Sequence, residues 1–232
     1  MENVPRHIGI IMDGNRRFAK RLMLKPWKGH EWGPKKLAEI LEWCKEYDIH
    51  ELTLYTFSVQ NFNRPKEEFD YLMNLFREEF DKLKDDKRIH EEQIRVNVIG
   101  RTWMFPKDVQ DKIKEIMERT RQYNKKVINF AMAYGGREEV LDAVKKIAKG
   151  VQEGTIDVDE INEETFSQHL YMTDAPDLII RTGGEHRTSN FLIWQSSYSE
   201  WFFVDHMFPE FTKEDFETAI QSYVQRERRF GK

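Results

Sequence analysis

Ile8-Gly9-Ile10-Ile11-Met12-Asp13-Gly14-Asn15-Arg16-Arg17 is an apolar run that passes without a break into a polar, basic loop. The apolar part predicts a buried β-strand. In the loop, Gly14 allows positive φ and close approach of a ligand, and the two arginines carry forked donors that suit phosphate oxygens. We interpret the stretch as a strand that ends in an anion-binding loop. A solvated turn with an N-terminal cap is the alternative that this loop alone leaves open.

Asp13 does not suit a loop that binds only anions, because its carboxylate would repel a diphosphate. A divalent cation between the carboxylate and the phosphates would remove this conflict. Mg²⁺ commonly binds through one or two carboxylates together with substrate oxygens. The loop therefore predicts a diphosphate that is held with Mg²⁺.

Short apolar runs and longer amphipathic segments alternate along the rest of the chain. Further strands are predicted at 52–57, 94–99, 127–133 and 177–181, with a candidate sixth at 201–204. Helices are predicted over 34–47, 65–83, 107–120, from Gly135-Gly136 to about Val151, and over 213–228. This alternation favours an α/β fold: a mostly parallel, roughly six-stranded central sheet flanked by helices. We expect one domain over residues 1–232, because the chain has no repeat and no linker rich in Pro, Gly or Ser.

Ligands of parallel sheets bind beyond the carboxyl ends of the strands, and three more predicted strands run into polar loops there. These loops are Ser58 to Arg64, Tyr134-Gly135-Gly136-Arg137, and Arg181 to Asn190. The last of them repeats the arginine and glycine chemistry of the first. Burial of Arg181 is costly without an anionic partner, and an internal salt bridge to Glu185 or Glu200 is the alternative to a ligand. Two such loops favour a reaction between two diphosphates.

The composition excludes several classes of protein. The net charge of −4 argues against generic nucleic-acid binding, whereas the basic islands at 1–30 and 226–232 suit a small polyanionic substrate. A single cysteine, Cys44, excludes a disulfide framework and fits a small core residue in a reducing compartment. No apolar run approaches the roughly 18 residues that span a bilayer, and no signal peptide is evident, so a cytoplasmic location is expected. Neither a P-loop nor a GxGxxG fingerprint is present.

Two groups of side chains are ambiguous from the sequence. The aromatic residues around the second strand and the following helix could form core or line a long apolar substrate tunnel. The histidines nearest the polar loops could donate to phosphate, act as general acids or have structural roles. The aromatic set is Phe57, Phe62, Phe69, Tyr71, Phe76 and Phe80, and the histidines are His7, His30 and His186.

In order and spacing, five segments of the chain resemble the cis-prenyltransferases, the undecaprenyl diphosphate synthase family. The segments are His7 to Ala19 with Gly29-His30, Thr53 to Ser58 with Asn61 to Pro65, Asn129 to Arg137, Asp177 to Gln195, and Glu200 with Arg226 to Gly231. Asn15-Arg16-Arg17 and Lys25-Pro26-Trp27 indicate an archaeal-type member. The resemblance implies that an allylic diphosphate is condensed with isopentenyl diphosphate, in repeated cycles, to a Z-polyprenyl diphosphate for lipid glycan carriers.

The resemblance also implies roles for individual residues. Asp13 is expected to be catalytic and to hold Mg²⁺ with Glu200 as a second carboxylate, and Asn61 is expected to assist proton removal. The remaining expected contacts are with the substrates. These are Gly14, Asn15, Arg16, Arg17, Phe18 and His30 for the allylic diphosphate, Arg181, Arg187, Thr188 and Ser189 for isopentenyl diphosphate, and Ser58, Val59, Gln60, Phe62 and Arg64 in a loop that closes over both.

Further implications concern partners. Residues 226–232, with Gly231, are expected to reach the isopentenyl diphosphate site of the second subunit in a homodimer. The enzyme could lie peripherally at a membrane surface when it releases product.

Pro26 stands where many relatives carry arginine, Phe62 replaces a commoner tryptophan, and Gln60 replaces a commoner glutamate. These departures leave the primer open between geranylgeranyl and farnesyl diphosphate. Alternatives are a short-chain product and a non-isoprenoid acceptor.

Overall fold

The computed structural model describes residues 3–226 and is built on one parallel sheet. Neighbouring strands are all parallel, in the order β3-β4-β2-β1-β5-β6. The predicted single α/β domain with a six-stranded sheet is confirmed. The strands are β1 His7–Ile11, β2 Glu51–Ser58, β3 Ile94–Ile99, β4 Lys126–Tyr134, β5 Leu178–Arg181 and β6 Glu200–Phe203.

Eight α-helices among the described residues connect and flank these strands. They are α1 Asn15–Arg21, α2 Gly33–Glu46, α3 Lys66–Lys84, α4 Lys87–Glu91, α5 Lys107–Arg119, α6 Gly136–Gln152, α7 Glu163–Gln168 and α8 Lys213–Gln225. Short 3₁₀ segments lie at Pro26–Trp32, Val59–Asn63, Thr102–Met104, Val158–Glu160, Gln195–Tyr198 and Phe208–Glu210.

Helix α3 shows why the longer elements could be predicted. Leu72, Met73, Phe76 and Phe80 recur at helical spacing and are buried. Acidic residues occupy its first turn and lysines its last turn, which complements the helix dipole. The short helices α1, α4 and α7 were not predicted, because none is long enough to show such a periodicity.

Chain order places the loops after β1 and β5 beside each other. From β1 the chain crosses to β2 on one side of the sheet, whereas β5 and β6 lie on the other side of β1. Ile11 and Arg181, the last residues of β1 and β5, are register partners. A crevice at such a reversal of strand order is where open α/β sheets bind ligands.

The apolar core divides along the alternation of side chains in each strand. Ile8 and Ile10 belong to the larger cluster with Leu54 and Phe130, while Ile11 belongs to a smaller cluster on the opposite face. Cys44 is buried as predicted, and burial raises the pKa of its thiol to about 12. Among residues 3–226, no helix has the length and apolarity needed to cross a membrane.

Candidate active site

Arg181 and Asp13 form the centre of the site. Arg181 donates from Nη2 to Asp13 Oδ2 at 2.7 Å and from Nη1 to Ser189 Oγ at 2.6 Å, and it also donates to the Arg187 carbonyl. Its side chain is only 3% exposed, whereas that of Asp13 is 29% exposed. The internal salt bridge considered for Arg181 therefore exists, but its partner is Asp13 and not Glu185 or Glu200. The pair joins the two predicted diphosphate loops.

Two glycines allow the backbones of these loops to come this close. Gly14 has φ 103°, and a Cβ there would lie 2.7 Å from Cβ of Met207. Gly183 has φ 89°, and a Cβ there would lie 2.7 Å from Arg17 Nη2. The Asp13 carbonyl accepts from Thr182 Oγ1 at 2.8 Å and from Phe208 N–H at 2.9 Å. Residues 13–17 are thus not a long loop: α1 begins at Asn15, directly after the turn at Gly14.

The other arginines near this centre are more exposed and have weaker partners. Arg17 lies 3.4 Å from Asp13 and 3.6 Å from Glu185, and Arg187 bonds Glu185 at 2.5 Å. Arg16, half-exposed, lies 3.6 Å from Glu68. The exposed ion pairs of Arg17 and Arg187 with Glu185 contribute little to stability, so these two guanidinium groups can exchange the carboxylate for phosphate oxygens.

His30 lies in a buried basic corner beside α1. Gly29 allows this, because a Cβ there would lie 1.9 Å from the Asn15 carbonyl oxygen. Arg64 Nη1 lies 3.5 Å from His30 Nε2 and donates to Glu68 Oε1 at 2.9 Å. Burial, with the positive charges of Arg64 and Arg16, lowers the pKa of His30 to about 3. His30 is therefore a neutral hydrogen-bonding group at neutral pH.

Glu68 is a site residue that the sequence interpretation missed. Its side chain is 1% exposed and forms ion pairs with Arg64 and Arg16. The available signal was the four-residue spacing of Arg64 and Glu68 at the beginning of the predicted helix 65–83.

The 3₁₀ segment Val59–Asn63 carries Asn61 and is held by a capping box. The Ser58 side chain accepts from the Asn61 N–H, and Asn61 Oδ1 accepts from the Ser58 N–H at 3.0 Å. Asn61 therefore has a structural role, and its assistance to proton removal stays a prediction. Phe62 packs on Phe57 and Phe105, with ring centroids 5.1 and 5.3 Å away, and forms an apolar cover.

An apolar channel leads inward from this corner between the sheet and helices α2 and α3. It holds about 1200 Å³ of empty space, part of which is open solvent. Asn15, His30 and Arg64 line its polar end, and Asp86 and Arg88 its far end. The apolar lining includes Leu37, Leu41, Leu54, Phe57, Leu72, Phe76, Phe80, Leu83, Phe130 and Met132.

Three of the aromatic residues belong to the buried core and also border this space, so the substrate tunnel stays a prediction. Phe57, Phe76 and Phe80 line the space, whereas Phe62 and Phe69 pack against each other and the core with centroids 5.7 Å apart. The role of Tyr71 is different, because its hydroxyl donates to Glu31 near the surface.

The structure places several predicted residues away from direct roles at this centre. His7 is the first residue of β1, at the amino ends of the strands and away from the site. It shares a 2.7 Å hydrogen bond with Thr53, so its role is structural. His186 stacks on Phe203 with centroids 4.8 Å apart. Phe18 packs edge-on against Trp32 at 5.2 Å. Val59 is half-buried and Thr188 is exposed.

Glu200 is not brought to Asp13 within one chain. Glu200 is the first residue of β6 and pairs with Leu178 of β5. Arg181 is three residues further along β5, which corresponds to about 10 Å along a strand. Its carboxylate accepts a hydrogen bond from Arg226. The role of Glu200 as a second metal carboxylate stays a prediction. Gly231 and residues 227–232 lie outside the described residues.

The donor set around Asp13 suits a cation that is held partly by substrate. No group of three His, Cys, Asp or Glu side chains that could hold a metal occurs within residues 3–226, so a cage made only of protein is not formed there. A single carboxylate beside an anion site matches the way Mg²⁺ binds between protein and phosphate oxygens. Asn15 Oδ1 and Arg181 Nε are buried without a hydrogen-bond partner in the described structure, which indicates polar groups prepared for a ligand.

Comparison with known proteins identifies relatives along nearly the whole chain. A family model described as putative undecaprenyl diphosphate synthase matches residues 11–231. The tritrans,polycis-undecaprenyl-diphosphate synthase (geranylgeranyl-diphosphate specific) of Pyrococcus horikoshii is 54% identical over 231 residues, 99% of this chain and 88% of that protein. Its namesake from Methanocaldococcus jannaschii is 50% identical over 235 residues, 100% of this chain and 84% of that protein.

Solved structures agree with these relatives. Lavandulyl diphosphate synthase from Lavandula x intermedia, in complex with dimethylallyl diphosphate, superposes with a TM-score of 0.92 at 36% identity, covering 99% of both chains. A probable undecaprenyl diphosphate synthase from Campylobacter jejuni gives a TM-score of 0.82 at 31% identity, covering 100% of both chains.

Proposed function

Because this chain belongs to the undecaprenyl diphosphate synthase family and is a cis-prenyltransferase, we propose that it elongates geranylgeranyl diphosphate with isopentenyl diphosphate to a Z-polyprenyl diphosphate. The observation that carries the proposal is an apolar cavity whose polar end is lined by Asn15, His30 and Arg64, with Asn15 only two residues from the Asp13–Arg181 pair. Charged diphosphates can bind at this end while a growing hydrocarbon chain enters the channel. The names of relatives at about half identity support geranylgeranyl diphosphate as primer.

The allylic diphosphate is proposed to bind at the beginning of α1, with Arg16, Arg17 and neutral His30 as donors. Asp13 would hold Mg²⁺ there, and the bound ion would neutralise charge on the departing diphosphate. Arg181, Arg187 and Ser189 would bind isopentenyl diphosphate on the β5 side. This arrangement separates the two diphosphates yet keeps both beside the Asp13–Arg181 pair.

The reaction then follows from what each substrate can do. The allylic C–O bond breaks, the diphosphate leaves, and C4 of isopentenyl diphosphate attacks the allylic carbon. Loss of a proton from C2 creates the new double bond. Phe62, next to Asn61, packs edge-on against Phe57, and this apolar pair would exclude water from the cationic centre.

Incubation with Mg²⁺, labelled isopentenyl diphosphate and geranyl, farnesyl, geranylgeranyl or geranylfarnesyl diphosphate tests the proposal. We expect elongated product with geranylgeranyl diphosphate as the preferred primer. Absence of elongation with every primer, while diphosphate binding persists, would reject it. Product mass spectrometry separates chain elongation from a short-chain product and from transfer to a non-isoprenoid acceptor.

A homodimer is part of this proposal. Leu141 and Val144 lie one helical turn apart on α6 and are 55% and 49% exposed. Ile193 packs over the start of the same helix, and neighbouring Trp194 and Tyr198 are also exposed. Such an apolar surface supports a partner contact. Light scattering on Leu141→Glu should show monomers; an unchanged dimer would exclude this face.

Contact with a membrane during product release is a separate part of the proposal, and cytoplasmic location stays a prediction. Leu22, Met23 and Leu24 are 44%, 94% and 41% exposed just after α1. Lys20 and Lys25 flank this turn, and basic residues beside apolar ones favour anionic lipid surfaces. Met23→Ser should weaken co-sedimentation with anionic vesicles. Equal sedimentation of the variant and the wild type would count against this turn.

A further inference from the structure

Glu138, in the first turn of α6, touches both of the loops that carry predicted substrate residues. Its Oε2 accepts a hydrogen bond from Asn190 Nδ2 at 2.9 Å, and its Oε1 accepts one from Gln60 Nε2 at 3.3 Å. Gln60 precedes Asn61, and Asn190 follows Ser189. One carboxylate therefore links the loop of Asn61 to the loop of Ser189.

The backbone is arranged to fit this link. A Cβ on Gly135 would lie 2.1 Å from Glu138 Oε2 and 2.7 Å from Asn190 Nδ2, so only glycine leaves room for the pair. Asn190 is held on its other sides as well. Its Oδ1 accepts from the Arg137 N–H at 2.9 Å, and its carbonyl accepts from the Gly136 N–H at 2.7 Å. Asn190 thus gives Glu138 a fixed partner, whereas Gln60 is exposed and depends on the carboxylate for its position.

The charges of the link explain why position 60 holds glutamine. A carboxylate near two diphosphate sites is electrostatically unfavourable unless it bonds donors. A glutamate at position 60 would place a second negative charge opposite Glu138, whereas glutamine supplies an N–H. The departure of Gln60 from the commoner glutamate is thus matched by Glu138.

We propose that Glu138 is a positioning residue that sets Asn61 relative to Ser189, and that Gln60 is required by it. The inference rests on the proposed function, in which these residues face the two substrates. Tyr55 also bonds the second loop, with its hydroxyl 3.4 Å from the Ser189 carbonyl oxygen.

Exchanging the two side chains tests this directly. Gln60→Glu should lower kcat/KM for isopentenyl diphosphate about tenfold, because it replaces a hydrogen bond to a charged group by repulsion. Glu138→Gln should cost less, because its amide oxygen still accepts from Asn190. The double variant restores a carboxylate–amide pair in the opposite sense and should return to within about threefold of wild type. KM for the allylic primer should change less than KM for isopentenyl diphosphate.

Losses that simply multiply in the double variant would overturn the proposal. Glu153→Gln, at the other end of α6, is the matched control and should behave as wild type. Hydrogen exchange of residues 58–64 gives a readout that does not need turnover: both single variants should speed exchange and the double variant should restore it. Unchanged exchange in the single variants also overturns the proposal. Absence of elongation by the wild type would instead reject the proposed function.

Discussion

Replacing Asp13 by alanine should lower both stability and turnover, and the two losses have separate causes. In the free protein the Asp13 carboxylate accepts from Arg181 at 2.7 Å and from the Gly14 N–H at 2.6 Å. Leaving a fully buried charge without its partner costs about 3–5 kcal/mol. Because Asp13 is 29% exposed, water can replace part of the lost interaction, and we expect about 2 kcal/mol. In a domain of this size that lowers Tm by about 4–8 °C.

Turnover should fall much further. Without the carboxylate, Mg²⁺ loses its protein ligand beside the departing diphosphate. Stabilisation of a leaving group by a metal contributes several kcal/mol, so we expect kcat/KM to fall about a thousandfold, which corresponds to about 4 kcal/mol. Incorporation of labelled isopentenyl diphosphate measures turnover, and calorimetry measures Tm.

Two comparisons make this prediction refutable. Asp13→Asn keeps an acceptor for the Gly14 N–H and should recover part of the stability, but without the negative charge it should stay nearly inactive. Inorganic diphosphate without Mg²⁺ should raise Tm more in Asp13→Ala than in wild type, because Arg181 is then free to bind the anion. Near-normal turnover of Asp13→Ala would remove the metal argument, and an unchanged Tm would refute the Asp13–Arg181 pairing.

Three further predictions follow from burial and packing. Burial is the main cause that lowers the pKa of His7 to about 4 and the pKa of His30 to about 3. Both values lie below the 6.5 of the unfolded chain, so on acidification the unfolded state binds more protons than the folded state. The free energy of unfolding should therefore fall as the pH drops from 6.5 towards 4, by about 2 kcal/mol per histidine at pH 5. A Tm that stays constant over this pH range would contradict the prediction. Gly29→Ala forces a Cβ towards the Asn15 carbonyl and should destabilise by about 1–3 kcal/mol or more, measured by denaturant unfolding; wild-type stability would show that the contact is not tight. Leu72→Trp narrows the cavity and should shorten the products seen by mass spectrometry without loss of the first condensation, with exposed Ile161→Trp as a size-matched comparison.

Much of the candidate site was accessible from local sequence. Asp13, Arg181 and Ser189 could be predicted because glycines, arginines and hydroxyls follow apolar runs, and parallel strands collect their carboxyl ends at one edge. The roles and partners of Glu68 and Glu138 could not be predicted, because charged residues near the start of a helix usually face solvent. Their roles depend on Arg64, on Gln60 and on Asn190, which other elements bring to them.

The level of Glu200 in the sheet could not be predicted for the same reason. Sequence order shows that it lies near the sixth strand, but not that the strand begins at this residue, at the level of Leu178 rather than Arg181. A shift of a few residues along a strand moves a carboxylate by about 10 Å, beyond the reach of one metal ion. Strand register is decided by pairing across the sheet, which local sequence does not contain.

By itself, the sequence determined the class of fold, the strands and longer helices, and the two loops that carry glycine and arginine, since hydrophobic periodicity and turn chemistry are local properties. Only the tertiary structure decided that Arg181 pairs with Asp13, that His30 is partly buried and neutral, and that an apolar cavity opens beside His30. Each of these depends on distances between residues far apart in the chain. Such distances are set by the strand order β3-β4-β2-β1-β5-β6 and by packing between the helices and the sheet.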